Sequence, residues 1–121
     1  MFITCGTDII EIKRIQQSIE KLENKFLDRV FTSKEIEYCE SKKKQKYQHY
    51  AARFAVKEAV FKAISKTLEN KYEINWKDIE TLNDDQGRPC VFIKGDRQDN
   101  MDISISHCKE YALATVVVFN S

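Results

Sequence analysis

Asp8, Arg53, Lys57, Glu58, Lys62 and His107 are the residues of this 121-residue chain whose types and settings could do chemistry. Asp8 follows Gly6-Thr7 at the end of an apolar run, Phe2 to Ile9. A carboxylate there can be a metal ligand or a general base, or it can cap the helix that follows. Glu58 and Lys62 stand four apart with the acid first, the order of an ordinary intrahelical ion pair. They sit, however, in Ala51–Ile64, where ten of fourteen residues are apolar and none is Gly or Pro. A helix that apolar is mostly buried, and a charge on it needs a partner, a cavity or something bound. Helical spacing puts Arg53 and Lys57 on one stripe and Glu58 and Lys62 on another. Arg53 and Lys57 can be packing residues with solvated heads or phosphate binders. His107 closes a stretch of alternating polarity and can be structural or functional.

Together these residues make a set: two carboxylates, several cations and one histidine. Mg²⁺ is bound through one or two carboxylates plus substrate phosphates, with lysine balancing the remaining charge. The set therefore suggests Mg²⁺-assisted chemistry on a phosphate ester or pyrophosphate.

The charge distribution agrees. The net charge is +1, but residues 42–77 carry ten Lys/Arg against three Asp/Glu, a net of +7. The flanking segments 1–41 and 78–121 are net −2 and −4. A basic middle third favours an anionic partner or ligand: phosphate, nucleic acid or an acidic protein. Nucleic acid is the less apt of these, because the predicted strands lack interleaved basic and aromatic residues. Cys5, Cys39, Cys90 and Cys108 have no metal-ligand spacing and read as reduced thiols. The N-terminal run is too short for a membrane span and lacks the basic start of a signal peptide. A cytoplasmic protein with no membrane association is the expectation.

The elements that must position these residues are legible. Phe2–Ile9 reads as a strand, with Gly6 marking a close backbone approach. Ile12, Ile15, Ile19 and Leu22 give the stripe of a helix over Ile10–Leu22. Phe26–Phe31 is a short helical turn, and Thr32 to Glu35 has a capping-box pattern opening a helix through Cys39. The organising helix is predicted from about Gln45 to Leu68, then a polar break at Glu69-Asn70-Lys71 and a connector from Tyr72 to Asp78. Strands are predicted at Ile79–Leu82, Cys90–Lys94, Met101–His107 and Tyr111–Phe119. A turn at Asn83–Gly87, a polar loop at Gly95–Asn100 and a final hairpin join them. The order implies one α+β domain over residues 1–121.

Read in order, these blocks resemble the holo-(acyl-carrier-protein) synthases, the short 4'-phosphopantetheinyl transferases. Gly6-Thr7-Asp8-Ile9-Ile10-Glu11-Ile12 with Arg14-Ile15 is similar to their N-terminal motif. Phe31-Thr32 through Glu35 and Tyr38-Cys39 resembles the second block, and Ala52 to Ala59 with Lys62-Ala63 the signature helix. Trp76 to Glu80, Gly87-Arg88-Pro89, Ser104 to His107 and Tyr111-Ala112 continue the match. The resemblance implies transfer of the phosphopantetheine arm from coenzyme A to a serine of apo-acyl carrier protein, for fatty acid biosynthesis, releasing adenosine 3',5'-bisphosphate. It implies Mg²⁺ held by Asp8 and Glu58, coenzyme A contacts at Arg53, Phe54, Lys62 and His107, and Arg88 and Pro89 beside the nucleotide. Arg14 would meet the acidic carrier protein, and Glu58 with Lys62 would be catalytic. It also implies a homotrimer that buries the organising helix, with active sites between subunits. The chain departs from the family at Phe61, where many members have a small residue. It departs again at Ile64-Ser65-Lys66-Thr67-Leu68, where they have a Gly-rich turn. The competing reading is a non-catalytic module that binds an anion or an acidic protein. Asp8 and Glu58 discriminate, since two carboxylates repel phosphate unless a metal intervenes.

Overall fold

A computed structural model describes residues 1–68 and 73–121; the predicted polar break Glu69-Asn70-Lys71 and Tyr72 lie outside the described residues. The chain runs β1 (Phe2–Glu11), α1 (Ile12–Leu22), α2 (Asn24–Val30), α3 (Ser33–Glu40) and α4 (Lys46–Ile64). A 3₁₀ turn at Trp76–Asp78 leads into β2 (Ile79–Asn83), β3 (Pro89–Ile93), β4 (Asp96–Arg97), β5 (Met101–His107) and β6 (Tyr111–Asn120). The expected α+β class holds. There are two three-stranded antiparallel sheets, β1-β6-β5 and β2-β3-β4. The predicted polar loop after Gly95 contains the short strand β4.

β1 is longer than its sequence suggests. It pairs with β6 from Phe2↔Asn120 to Glu11↔Tyr111, so Asp8 lies within the strand, opposite Ala114. Pairing carries the ladder past the polar Asp8, and α1 starts at Ile12 instead of Ile10. α3 opens with the predicted capping box: Glu35 N–H donates to Thr32 Oγ1 (3.2 Å) and Thr32 N–H to Glu35 Oε1 (3.0 Å).

α4 is the centre of both hydrophobic clusters. Ala55, Val56, Ala59 and Val60 pack with Ala114, Val116 and Val118 of β6, while Ala51 and Ala52 join Ile12, Ile15 and Phe31. Eleven of its nineteen residues are buried within this one chain. That corrects the expectation that assembly buries this helix: its own sheet and short helices do so. The helix ends at Ile64, before the predicted Leu68, and passes into a 3₁₀ turn, Ser65–Thr67.

Gly6 sets how closely α4 approaches β1. A Cβ at Gly6 would overlap the Ala59 carbonyl oxygen and lie 2.9 Å from Ala63 N. Backbone atoms cannot yield as a side chain tip can, so helix and strand would have to part. Gly6→Ala should therefore destabilise the fold by about 1–3 kcal/mol, as overpacking does, read as a lowered thermal midpoint. An unchanged midpoint would show that this contact is not tight.

Candidate active site

The close approach at Gly6 brings two carboxylates and a lysine together from segments fifty residues apart. Asp8 on β1 is half-buried. Lys62, in the last turn of α4, crosses to β1: its Nζ donates to the Thr7 carbonyl (2.8 Å) and reaches Asp8 Oδ1 at 3.3 Å. Lys62 is thus the partner of Asp8. No Glu58–Lys62 ion pair occurs among the described residues, so the ordinary i,i+4 alternative is not what the fold adopts. The long lysine side chain spans the narrow gap that Gly6 leaves and finds a strand carbonyl as well as a carboxylate.

Glu58 lies one turn before Lys62 and is half-buried. Burial pushes its carboxyl above the usual glutamate value, the negative charge of Asp8 adds to this, and Lys62 and a hydrogen bond from Trp76 oppose it. Two charge-coupled carboxylates with one shared cation suit a hard divalent ion, which would relieve the repulsion. No group of three or more His, Cys, Asp or Glu side chains converges among the described residues. Asp8 and Glu58 are the two carboxylates that could hold such an ion.

Glu58 also lines a cavity of about 550 Å³ with Arg29, Phe61, Trp76 and Lys77. Phe54 stands against Trp76, ring centroids 6.0 Å apart. Phe61 therefore borders the space beside Glu58. At the exit of α4, Ser65 Oγ donates to the Lys62 carbonyl (3.0 Å) and Thr67 Oγ1 to the Ile64 carbonyl (2.8 Å). These hydroxyls serve the carbonyls at the end of the helix.

A second cavity, about 400 Å³, holds Arg53, Pro89 and His107 together with Tyr38, His49 and Gly87. Arg88 is exposed on the β2–β3 turn and borders a different hollow, with Asp84 and Arg97, which Pro89 also lines. Gly87, at φ +81°, makes that turn possible. Arg14 is exposed on α1 and lines neither of the cavities beside α4.

Lys57 is the residue whose role sequence reasoning missed. Its side chain is fully buried, and its Nζ donates to Glu35 Oε1 (2.7 Å), to the Trp76 carbonyl (3.0 Å) and to the Ile79 carbonyl. Glu35 Oε2 in turn accepts from Thr81 N–H (3.0 Å). Lys57 is therefore neither a surface lysine nor a phosphate binder. It ties α3, α4 and β2 together and fixes the turn that carries Trp76 to Glu58. Burial pulls its pKa down, with Glu35 opposing. The capping box marked Glu35 in the sequence, but only as a cap.

Residues 4–116 match the model of the 4'-phosphopantetheinyl transferase superfamily. The chain is 44% identical to a holo-(acyl-carrier-protein) synthase of Ruminiclostridium cellulolyticum, over 98% of this chain and 92% of that one. Among solved structures, the holo-(acyl-carrier-protein) synthase of Bacillus anthracis in complex with CoA (3',5'-ADP) superposes with a TM-score of 0.81 at 35% identity, covering 98% of this chain and 96% of that one. The Helicobacter pylori holo-(acyl-carrier-protein) synthase in complex with coenzyme A gives 0.79 at 31%, covering 95% and 99%.

Proposed function

The chain belongs to the 4'-phosphopantetheinyl transferase superfamily, and we propose that it transfers the 4'-phosphopantetheine arm of coenzyme A to a serine of an apo-acyl carrier protein. The observation that carries this reading is the Asp8–Lys62–Glu58 cluster, assembled across a helix–strand contact that only glycine permits. The serine hydroxyl forms a bond to the phosphorus that bears the arm. The bridging P–O bond breaks, and adenosine 3',5'-bisphosphate leaves with the electron pair.

Each residue has a task. Asp8 and Glu58 would hold Mg²⁺, whose chemistry is neutralisation of the pyrophosphate charge. Lys62 exchanges its ion pair with Asp8 for the phosphate oxygens and shares that load. Glu58 accepts the serine proton through its carboxylate. Trp76 orients Glu58, and Phe54 flanks it. Arg53, His107 and Pro89, which line one cavity, take the nucleotide end of coenzyme A, with Arg88 in the neighbouring hollow that Pro89 also lines. Arg14, with Lys13 on the same exposed helix, meets the acidic carrier. The whole chain, residues 1–121, acts as one catalytic domain.

The proposed assembly is a homotrimer with sites between subunits. Its support is the outer face of the β1-β6-β5 sheet. Ile3, Ile9, Leu113 and Phe119 stand exposed there, paired as Ile3↔Phe119 and Ile9↔Leu113. Such a patch is what an interface between copies requires. No helix among the described residues is long and apolar enough to cross a membrane; a cytoplasmic setting fits the use of coenzyme A and a carrier protein.

The direct test mixes the protein with apo-acyl carrier protein, coenzyme A and Mg²⁺. The carrier's mass should rise by one phosphopantetheine arm, and chelator should abolish the rise. A carrier of unchanged mass, across several carriers, would leave the non-catalytic binding module as the better reading. Sedimentation equilibrium should report three copies.

A further inference from the structure

The cavity around Arg53 contains a residue that the family resemblance does not assign. Arg53 is 4% exposed, its guanidinium carbon lies 4.0 Å over the Tyr38 ring, and its Nε has no hydrogen-bond partner among the described residues. A buried donor left unpaired is costly, and this one belongs to a side chain that lines an open cavity. His49 stands four residues before Arg53, on the same stripe of α4. Its ring meets Tyr38 edge-on at 5.5 Å and lies 6.2 Å from the ring of His107 on β5.

Two fixed cations, Arg53 and Lys42, act on His49, together with the imidazole of His107. Arg53 is on its own helix, Lys42 precedes that helix with its ammonium 4.8 Å over the Tyr38 ring, and His107 faces it from β5. Tyr38, from α3, is the remaining titratable neighbour. Burial, then Arg53, Lys42 and His107, hold the imidazole below its ordinary pKa. A doubly charged anion among these groups opposes their effect and favours the protonated imidazole.

We propose that His49 is a specificity-determining residue of this cavity: on binding a phosphate monoester dianion it takes up a proton from solvent and becomes a second cationic partner beside Arg53, with the His107 ring facing it. This rests on the reading above, under which that dianion is the ribose 3'-phosphate of coenzyme A. The product adenosine 3',5'-bisphosphate carries the same group. Through His49 the cavity distinguishes nucleotides with that phosphate from those without it, and does so more sharply as pH falls.

Calorimetric titration with adenosine 3',5'-bisphosphate and with adenosine 5'-phosphate, at pH 6 and pH 8, tests this on wild type, His49→Phe and His49→Gln. The phosphate's own second ionisation, near pH 6, affects all proteins alike and cancels in the ratio of dissociation constants. Each pKa unit by which the anion raises His49 is worth tenfold in low-pH affinity. The variants should bind the bisphosphate about tenfold more weakly than wild type at pH 6, and within about twofold of it at pH 8. For adenosine 5'-phosphate the ratio should stay near one at both. His49→Gln keeps a hydrogen bond without the charge and gives the same readout if the Phe variant folds poorly. A ratio independent of pH, or an equal loss for both nucleotides, overturns the role of His49 while wild-type arm transfer still stands. A wild type that neither binds the bisphosphate nor charges a carrier removes this proposal together with the reading beneath it.

Discussion

Glu58→Gln is expected to lower the rate of carrier charging by at least about a hundredfold at saturating coenzyme A and Mg²⁺. The substitution keeps the shape of the side chain and its place beside Trp76, but it removes both the proton acceptor and half of the carboxylate pair. A positioned base alone contributes about 10²–10⁴-fold. The same variant should not be less stable. A carboxyl whose folded pKa is raised above its unfolded value makes the charged form the unfavourable one in the fold, so above both values ionised Glu58 costs stability. A neutral amide removes that cost and the repulsion from Asp8. The expected signature is a large loss of turnover with an unchanged or higher thermal midpoint at neutral pH. Near-normal turnover with saturating Mg²⁺ would take Glu58 out of the proton transfer.

Lys57→Met should act in the opposite way, on stability first. It leaves Glu35 fully buried with its charge uncompensated, and it strips a donor from the carbonyls of Trp76 and Ile79. Removing one partner of a buried pair costs about 3–5 kcal/mol. For a chain of this length that is a fall of about 10 °C or more in thermal midpoint. Adding Glu35→Leu should recover part of the loss, because no buried charge then remains. It should not recover all, because Thr81 N–H loses its acceptor and the two carbonyls stay unserved. A single variant as stable as wild type would mean that Glu35 is reached by water or protonated at little cost.

The parts of this site that could be read from sequence are those whose residue type is odd for its place. A carboxylate at the end of an apolar strand, a glycine inside that strand and two of the charges on a core helix each conflict with local preference, and they lie where Asp8, Glu58 and Lys62 come together. The capping box at Thr32 was legible because it is local. What was hidden is tertiary. Periodicity put Lys57 and Arg53 on one stripe but could not say that Glu35, twenty-two residues earlier, lies opposite. It could not choose between Glu58 and Asp8 as the partner of Lys62, since both are within reach and only the β1–α4 contact decides. Nor could it extend β1 past Asp8, because that extension is a property of β6.

The pairing of β1 with β6 also sets an order in time. Phe2 lies against Asn120, 118 residues away, and Asp8 against Ala114. Closing so long a loop is slow compared with local helix packing. While the chain is being synthesised, the first strand has no strand to pair with until the last one has left the ribosome. The helices around Glu58 can settle against one another long before then. The nascent protein therefore holds Glu58 and Lys62 on a settled helix while Asp8 is still unplaced, and the three come together in a late step, when β1 and β6 pair.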